Sequence, residues 1–236
     1  MVASPPPSKP VLAGATARTA PAPIKAAKAW LAGHDPARGI PVLDVSQAAP
    51  SDPPPQNMRD AIADFVRHNP EAHLYGAILG DVELRVDFAA HWSHAYKTQV
   101  SASQVAITSG CNQAFCAVIT ALCSAGDNVL LPVPWYFNHK MWLDVMGVEA
   151  TPLPTGANLM PDALLARHFI TKKTKAICLV SPNNPSGVEY PDAVLNAFYQ
   201  LAKDHKSSLL SMKPIKIFIA IQSDRTACWK RPIGNS

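Results

Sequence analysis

The residues best suited to chemistry stand where a predicted strand passes into a predicted helix, at 107–113. The segment reads Ile-Thr-Ser-Gly-Cys-Asn-Gln, with Gly110 at the turn and Cys111 at the start of the helix. The first turn of a helix leaves backbone N–H groups without acceptors and carries a partial positive charge, so this junction could cradle a phosphate. An ordinary strand-to-helix turn would use the same glycine. Neither GxGxxG nor GxxxxGK[ST] occurs in the chain to indicate a nucleotide.

A second segment, 181–187, follows an apolar predicted strand and reads Ser-Pro-Asn-Asn-Pro-Ser-Gly. It is therefore expected at the carboxyl edge of a sheet, where open α/β sheets bind their ligands. Asn183 and Asn184 stand between prolines that restrict the backbone and so direct the two amide groups. A turn built from Pro, Asn and Gly has the same composition and is the plainer interpretation.

Aromatic residues cluster at 134–137, where the sequence Pro-Trp-Tyr-Phe follows another predicted strand. Such rings either offer a face to a planar ligand or fill the core. Tyr75 is followed by Gly76 and Gly80, which is typical of an exposed loop tyrosine or of a turn leading into a helix.

The elements that must position these residues alternate along the chain. Hydrophobic periodicity predicts strands at 104–108, 128–131, 148–153 and 176–180, and helices at 57–69, 81–96, 111–124, 137–146, 162–169 and 192–203. Strands that alternate with helices imply an α/β fold, with a mostly parallel sheet covered by helices on both faces. We expect an irregular Pro-rich arm at 1–45, because twelve of the 23 prolines lie before residue 56.

The charge is distributed unevenly. Residues 1–205 carry 15 Lys and Arg against 16 Asp and Glu, a net −1, whereas residues 206–236 carry 6 against 1, a net +5. The basic character therefore belongs to a short tail, which is typical of a solvated end, and no nucleic-acid recognition motif accompanies it. We expect neither a nucleic-acid partner nor a membrane, since the apolar stretches are shorter than the roughly 18 to 20 residues that span a bilayer.

Five cysteines form no CxxC pair and indicate a reducing compartment. The expected location is the cytoplasm. The first 34 residues contain no Asp or Glu, which faintly resembles a transit peptide and leaves mitochondria as the alternative.

Taken together, the motifs resemble those of class I/II aminotransferases, which are fold-type I enzymes dependent on pyridoxal 5′-phosphate. The resemblance covers roughly 20–205 and is strongest at the Asn-Asn-Pro-Ser-Gly loop. Details at 44–50 and 135–140 resemble the aspartate/aromatic aminotransferase branch. The residues that carry the resemblance, in the family's order and spacing, are Tyr75, Gly80, Leu84-Arg85, Thr108-Ser109-Gly110, Pro134-Trp135-Tyr136 and Pro182 to Gly187.

The resemblance implies a role for each motif in holding the cofactor. Backbone amides around Gly110, Cys111 and Asn112 would hold the phosphate. Tyr136 would stack on the pyridine ring, with Trp135 as the alternative if the alignment slips by one. These parts match a flat aromatic dianion, which needs a helix N-terminus for its phosphate and an aromatic face for its ring.

The resemblance also implies contacts to the phenolic oxygen, to the substrate and to a second subunit. Asn184 would donate to the phenolic oxygen of the cofactor. Tyr75 would reach across a homodimer interface to the partner's phosphate. Ala48 stands where the family often has a glycine near the substrate carboxylate. The implied reaction is amino-group transfer between an amino acid and a 2-oxo acid.

The family pattern is lost after His205, before the Schiff-base lysine and the acid that contacts the pyridine nitrogen. We expect a partial large domain at 46–205 and a divergent basic tail at 206–236. An apolar run at 215–221 is compatible with one more strand. Lys213, Lys216 and Lys230 are too near the last matching helix to be the missing nucleophile. No residue is assigned a catalytic role, and we expect a C-terminally truncated, inactive family member.

Two other functions remain open at this point. The chain could be an inert dimerisation or regulatory module that pairs with a complete aminotransferase through its arm and the Tyr75 region. It could also be an α/β domain that binds a phosphorylated ligand or nucleotide at the strand-to-helix turn formed by Gly110.

Overall fold

The computed structural model describes residues 11–34, 39, 41–43, 52–212 and 219–221. Contacts between Cα atoms divide them into two compact units. The sheet unit contains 11–22, 96–98 and the described residues from 108 onward. The helical unit contains the described residues of 23–95 together with 99–107.

The sheet unit is built on five strands, which are β1 (Asn128–Pro132), β2 (Glu149–Leu153), β3 (Thr174–Val180), β4 (Ser208–Met212) and β5 (Ile219–Ile221). They form one sheet in the order β2-β1-β3-β4-β5. The first four strands are parallel, and β5 runs antiparallel to β4. Leu130 of β1 pairs with Thr151 of β2 and Ile177 of β3, and Ile177 pairs in turn with Leu209 of β4.

Helices cover both faces of this sheet. The helices of the sheet unit are α1 (Gly14–Arg18), α5 (Cys111–Leu122), α6 (Phe137–Met146), α7 (Ala163–Ala166) and α8 (Asp192–Asp204). One face packs Val129 and Cys178 against α5 and α6, and the other packs Leu130 and Ile177 against α7 and α8. Every residue of β1 is buried, as expected for a strand with helices on both sides. The predicted α/β fold class is confirmed.

The helical unit contains α2 (Pro23–Ala32), α3 (Gln56–His68) and most of α4 (Val82–Tyr96). Trp92 and Ala89 of α4 are buried. Every side chain of α3 is exposed, including Phe65 and Val66 on its apolar stripe. In the described ranges, no helix combines the length and the apolarity that a bilayer crossing requires.

The strand predicted at 104–108 is wrong. The chain forms a short 3₁₀ helix at Ala102–Gln104, and Ser101 and Gln104 close a capping box around it. The backbone of Val105 is extended, and Ile107 N–H donates to the carbonyl of Leu79 at 2.8 Å. Extended backbone becomes a strand only when a neighbouring strand pairs with it, and none of the described strands does so here.

The structure also extends the sheet beyond the predicted boundary at 205. Ser208–Met212, which the sequence predicts to belong to a divergent tail, form β4, and β4 pairs in parallel with β3. Ser208 and Ser211 interrupt the apolar pattern in this segment, and Leu210 and Met212 are nevertheless buried. The strand is stabilised by its position beside β3 more than by its own composition.

Candidate cofactor site

A cleft lies at the carboxyl edge of the parallel strands, within the sheet unit. Its volume is about 160 Å³. Val180 and Met212, the last residues of β3 and β4, form its apolar floor. The other lining residues come from the start of α5, the loop after β1, the first turn of α6 and the loop after β3: Cys111, Asn112, Tyr136, His139 and Asn184.

The cleft brings together four of the residues predicted to bind the cofactor: Cys111, Asn112, Tyr136 and Asn184. Gly110 immediately precedes the first of them in the chain. Tyr75 lies in the helical unit and is fully exposed. Ala48 lies outside the described residues.

Gly110 shapes the start of α5. Its φ of 87° lies in a region that side-chain-bearing residues rarely adopt. Thr108 fixes this turn from both sides, because its carbonyl accepts from Gly110 N–H at 2.8 Å and its hydroxyl donates to the Gly110 carbonyl at 3.0 Å. Gly110 provides no side-chain cap. The N–H groups of the first turn and the positive end of the helix dipole can therefore bind an anion, and Cys111 and Asn112 of this turn line the cleft.

The two consecutive asparagines, Asn183 and Asn184, have different structural roles. Asn183 is buried, and its Oδ1 accepts from the backbone N–H of Ser186 at 3.1 Å and from its hydroxyl at 2.8 Å. The backbone of Asn183 also accepts from Gly187 N–H at 2.7 Å and donates to Val188 at 2.8 Å. These bonds hold the loop, while Asn184 is exposed and lines the cleft.

Tyr136, rather than Trp135, lines the cleft. Trp135 is half-buried and packs against the core on the α5 and α6 face of the sheet. The hydroxyl of Tyr136 accepts from Asn138 Nδ2 at 2.7 Å, which anchors the hydroxyl end of the ring. The structure therefore favours Tyr136 for the stacking role, although that role stays a prediction.

His139 is a cleft residue that the sequence analysis missed. Its ring stacks on Phe115 at 4.1 Å and meets the Tyr136 ring edge-on at 5.1 Å. The residue is 3% exposed, and its Nε2 is buried without a partner among the described residues. Burial lowers the pKa of the imidazole to about 4, so the ring is neutral. One signal in the sequence points to it, since a residue three positions after Tyr136 shares its side of a helical turn.

Gly80 and Arg85, which follow Tyr75 in the family-like motif, have structural roles within the helical unit. Gly80 has a φ of +95°, and a Cβ there would lie 2.5 Å from the Cβ of Ile107. Arg85 donates to the carbonyls of Ala102 and Val105, at 2.8 and 2.9 Å. Glycine and arginine at these positions thus fix the segment that precedes the Gly110 turn.

We predict that His139 makes stability fall in mild acid. The unfolded imidazole has its usual pKa near 6.5, whereas the folded one has a pKa of about 4. Between these values the unfolded chain binds more protons, so the free energy of unfolding decreases as the pH falls. From pH 7.5 to pH 5 the contribution lost is about 2 kcal/mol.

Urea unfolding at the two pH values measures this loss. His139→Phe should remove it, so the variant's stability changes less with pH than that of the wild type. His168→Phe, at an exposed position of the same unit, should retain it. Equal pH dependence in the wild type and His139→Phe would show that the imidazole is not held neutral.

A second prediction separates the two asparagines. Asn183→Ala should lower the free energy of unfolding by about 1 to 3 kcal/mol, because it leaves the partly buried N–H and hydroxyl of Ser186 without their acceptor. Asn184→Ala, a matched change one residue away, should alter it by less than about 0.5 kcal/mol, as is usual for exposed positions. Thermal and urea unfolding of both variants measure the difference. Equal losses of the free energy of unfolding would contradict the assignment of different roles to the two asparagines.

Comparisons with known proteins agree with this geometry. An Arabidopsis thaliana protein named aromatic aminotransferase ISS1 is 35% identical over 156 residues, which are 64% of this chain and 39% of that protein. The probable aspartate/prephenate aminotransferase of Thermus aquaticus is 32% identical over 140 residues, which are 58% of this chain and 36% of that protein. These names agree with the predicted aspartate/aromatic branch.

A solved structure shares the fold. Aspartate aminotransferase from Thermus thermophilus with maleate has a TM-score of 0.77 and 25% sequence identity, and the alignment covers 87% of this chain and 53% of that one. The chain thus spans less than two thirds of the length of these relatives. The sequence model of the family named aminotransferase class I and II matches residues 40–211, past the boundary predicted at 205. This chain therefore belongs to the class I and II aminotransferases, a family that uses pyridoxal 5′-phosphate.

Proposed function

We propose that this chain binds pyridoxal 5′-phosphate without covalent attachment and does not itself transfer amino groups. The observation that carries this proposal is the composition of the cleft. The described residues around it supply a helix N-terminus, an aromatic ring and an amide, but neither a lysine nor a carboxylate. When bound, the cofactor supplies a ring that withdraws electrons from an attached amino acid.

The phosphate would be held at the start of α5. The backbone N–H groups of Cys111 and Asn112 lie in the first turn, after the Gly110 turn that opens it. A helix N-terminus attracts an anion through these donors and through its dipole. Burial raises the pKa of the Cys111 thiol, so the side chain beside the phosphate site stays uncharged and does not repel it.

The ring would lie between the aromatic face of Tyr136 and the apolar floor of the cleft. Val180 and Met212 form that floor. Asn184 lines the cleft, and its amide would donate to the phenolic oxygen of the ring. Tyr136 and Asn184 would therefore fix the plane and the rotation of the ring, which positions it without any covalent bond.

The family reaction needs a lysine amine that bonds to the cofactor and moves a proton. Among the described residues, Lys140 is the lysine nearest in sequence to a cleft residue, but its ammonium donates to both carboxylate oxygens of Asp144 at 2.5 Å. It does not line the cleft. Amino-group transfer between an amino acid and a 2-oxo acid is thus the proposed activity of complete relatives, with Ala48 proposed near the substrate carboxylate.

Calorimetric titration of the purified chain with pyridoxal 5′-phosphate tests this proposal. We expect saturable binding that Asn184→Ala weakens about tenfold, since one hydrogen bond contributes on the order of 1 kcal/mol. Asn57→Ala, at an exposed position of α3, should leave the affinity unchanged. Borohydride treatment followed by mass spectrometry should find no lysine of the chain modified in stoichiometric amount, and a stoichiometric adduct at any lysine would contradict the proposal.

A second candidate function is an inert module that pairs with a complete aminotransferase. It is favoured by the exposed apolar residues of the helical unit: Phe65, Val66, Leu74, Tyr75 and Ile78. Tyr75 and Ile78 are fully exposed. Exposed patches of this kind mark surfaces that bind another protein. Tyr75 would then reach the phosphate bound by the partner, as the family's homodimers imply.

Light scattering coupled to size-exclusion chromatography tests this pairing. The chain is mixed with a complete class I/II aminotransferase, and pairing predicts a heterodimer whose amount falls several-fold with Tyr75→Ala. Tyr199→Ala, on α8 of the sheet unit, is the control. A stable monomer that ignores the complete enzyme would count against this function.

A further inference from the structure

Five lysines lie at the edge of the sheet opposite to the cleft, where β3 and β4 begin. Three of them surround the first residue of β3, and two stand in the last turn of α8 and in the turn that leads into β4. All five residues are exposed. We call this set the lysine surface: Lys172, Lys173, Lys175, Lys203 and Lys206.

The two turns that carry these lysines are joined by a buried hydrogen bond. The hydroxyl of Ser207 donates to the carbonyl of Thr174 at 3.0 Å, and both residues are buried. Lys173 and Lys175 flank Thr174 in the chain, and Lys206 precedes Ser207. Because consecutive Cα atoms are about 3.8 Å apart, the backbones of these three lysines are held close together.

Few carboxylates neutralise the lysine surface. Lys175 forms an ion pair with Asp127 at 3.7 Å, and Asp204, beside Lys203, forms one with Arg167 at 3.6 Å. The other four lysines form no ion pair with a residue that the structure describes: Lys172, Lys173, Lys203 and Lys206. Positive charges gathered in this way repel one another and attract an anion.

The helix dipole explains Lys203 but not the unpaired lysines around it. Lys203 lies in the last turn of α8, where the negative end of the helix favours a cation. Lys172 and Lys173 lie in the turn before β3, outside any helix. Lys206 has a φ of 54°, in the left-handed region that glycine adopts with least strain. The fold therefore gives no local reason for a lysine at positions 172, 173 and 206.

We propose that the lysine surface binds an acidic segment of another polypeptide, rich in Asp and Glu. A lysine ammonium is a compact charge that suits single carboxylates, whereas bidentate binding of phosphate favours arginine. Residues 171–175 and 203–208 contain no Phe, Tyr or Trp on which nucleic-acid bases could stack. They also contain no aliphatic side chain that could enter a membrane. A carboxylate-rich peptide therefore fits this surface better than a nucleic acid or a lipid surface does.

Several lysines have to act together for such binding, because one exposed ion pair strengthens an affinity by at most about fivefold. Hydrogen bonds hold the turns that carry them. The N–H of Lys206 donates to the carbonyl of Lys203 at 3.2 Å, and the carbonyl of Lys173 accepts from Asn128 N–H at 3.0 Å. Turns held in this way lose little backbone entropy when a partner binds.

Fluorescence anisotropy of the full chain with labelled peptides tests this inference. The acidic probe is a fluorescein-labelled peptide of alternating Glu and Ser, and its neutral counterpart has Gln in place of Glu. We expect saturable binding of the acidic peptide alone. Raising the salt from about 50 to 300 mM should weaken it several-fold, since exposed charges are screened. The surface lies away from the cleft, so the result does not depend on the proposed binding of the cofactor.

A triple variant assigns the binding to the lysine surface: Lys172→Gln, Lys173→Gln and Lys206→Gly. The change to glycine removes a charge while the left-handed turn is kept. We expect the affinity for the acidic peptide to fall about tenfold, as the loss of three exposed ion pairs implies.

A matched control removes the same charge elsewhere in the chain: Lys25→Gln, Lys28→Gln and Lys97→Gly. All three positions are exposed, and Lys97 also has a left-handed backbone, with a φ of 47°. The control should keep the affinity within about twofold of the wild type, because its lysines lie outside the lysine surface. Thermal unfolding of both triple variants shows whether they fold.

Four outcomes would overturn the inference. The acidic peptide may fail to bind the wild type, or the control may weaken binding as much as the triple variant, which would indicate attraction by net charge alone. Single-stranded DNA or vesicles containing phosphatidylserine may bind more tightly through the same lysines, which would make the partner a nucleic acid or a membrane. Should the triple variant not fold, Lys206→Gly alone decides: we expect about two- to fivefold weaker binding, and an unchanged affinity would refute the inference.

Discussion

The parallel pairing of β1, β3 and β4 is the constraint on which the cleft depends. Ile177 of β3 lies between Leu130 and Leu209, so the three strands end at the same edge of the sheet. The loops that follow β1 and β3 must then meet the start of α5 beside that edge. Because both faces of the sheet are buried, a slip of one residue would exchange the side chains facing α5 and α6 with those facing α7 and α8. Core packing therefore fixes where the cleft residues stand.

Within this frame, hydrogen bonds made inside the loops decide which groups remain for a ligand. Asn183 uses its amide oxygen on Ser186, and the hydroxyl of Tyr136 accepts from Asn138. Asn184 lines the cleft, in a loop whose conformation the hydrogen bonds of Asn183 stabilise. A cleft preorganised in this way loses little conformational entropy when it binds.

The sequence was sufficient for those parts of the fold and site that local pattern determines. The Gly110 turn follows from a glycine between an apolar run and a helix start, and the Asn-Asn loop follows from prolines after a buried strand. It was insufficient where strand formation depends on pairing with a segment that is distant in sequence. The segment ending at Ile107 has an extended pattern but no described strand beside it, whereas Ser208–Met212 has a broken pattern and gains its strand from β3.

The same limit applies to single side chains in the site. Asn183 and Asn184 are identical in type and adjacent, so only the fold shows that one is buried and the other exposed. His139 reads in sequence as one polar residue on a helix. Its importance comes from Phe115, more than twenty positions earlier, which stacks on the imidazole and helps to exclude water from it. Sequence spacing carries no information about such a contact.

Electrostatics determines what the described cleft residues can offer to a ligand. In the described cleft the imidazole of His139 is neutral and the pKa of the Cys111 thiol is raised, so neither carries charge near neutral pH. The dipole of α5 is then the main source of positive potential, and it contributes on the order of 1 kcal/mol. A phosphate and a ring bound there as proposed would be held by backbone donors and by stacking. The family's proton transfer also needs a group that gives up and takes back a proton near neutral pH, which neither the sheet nor the helix dipole supplies.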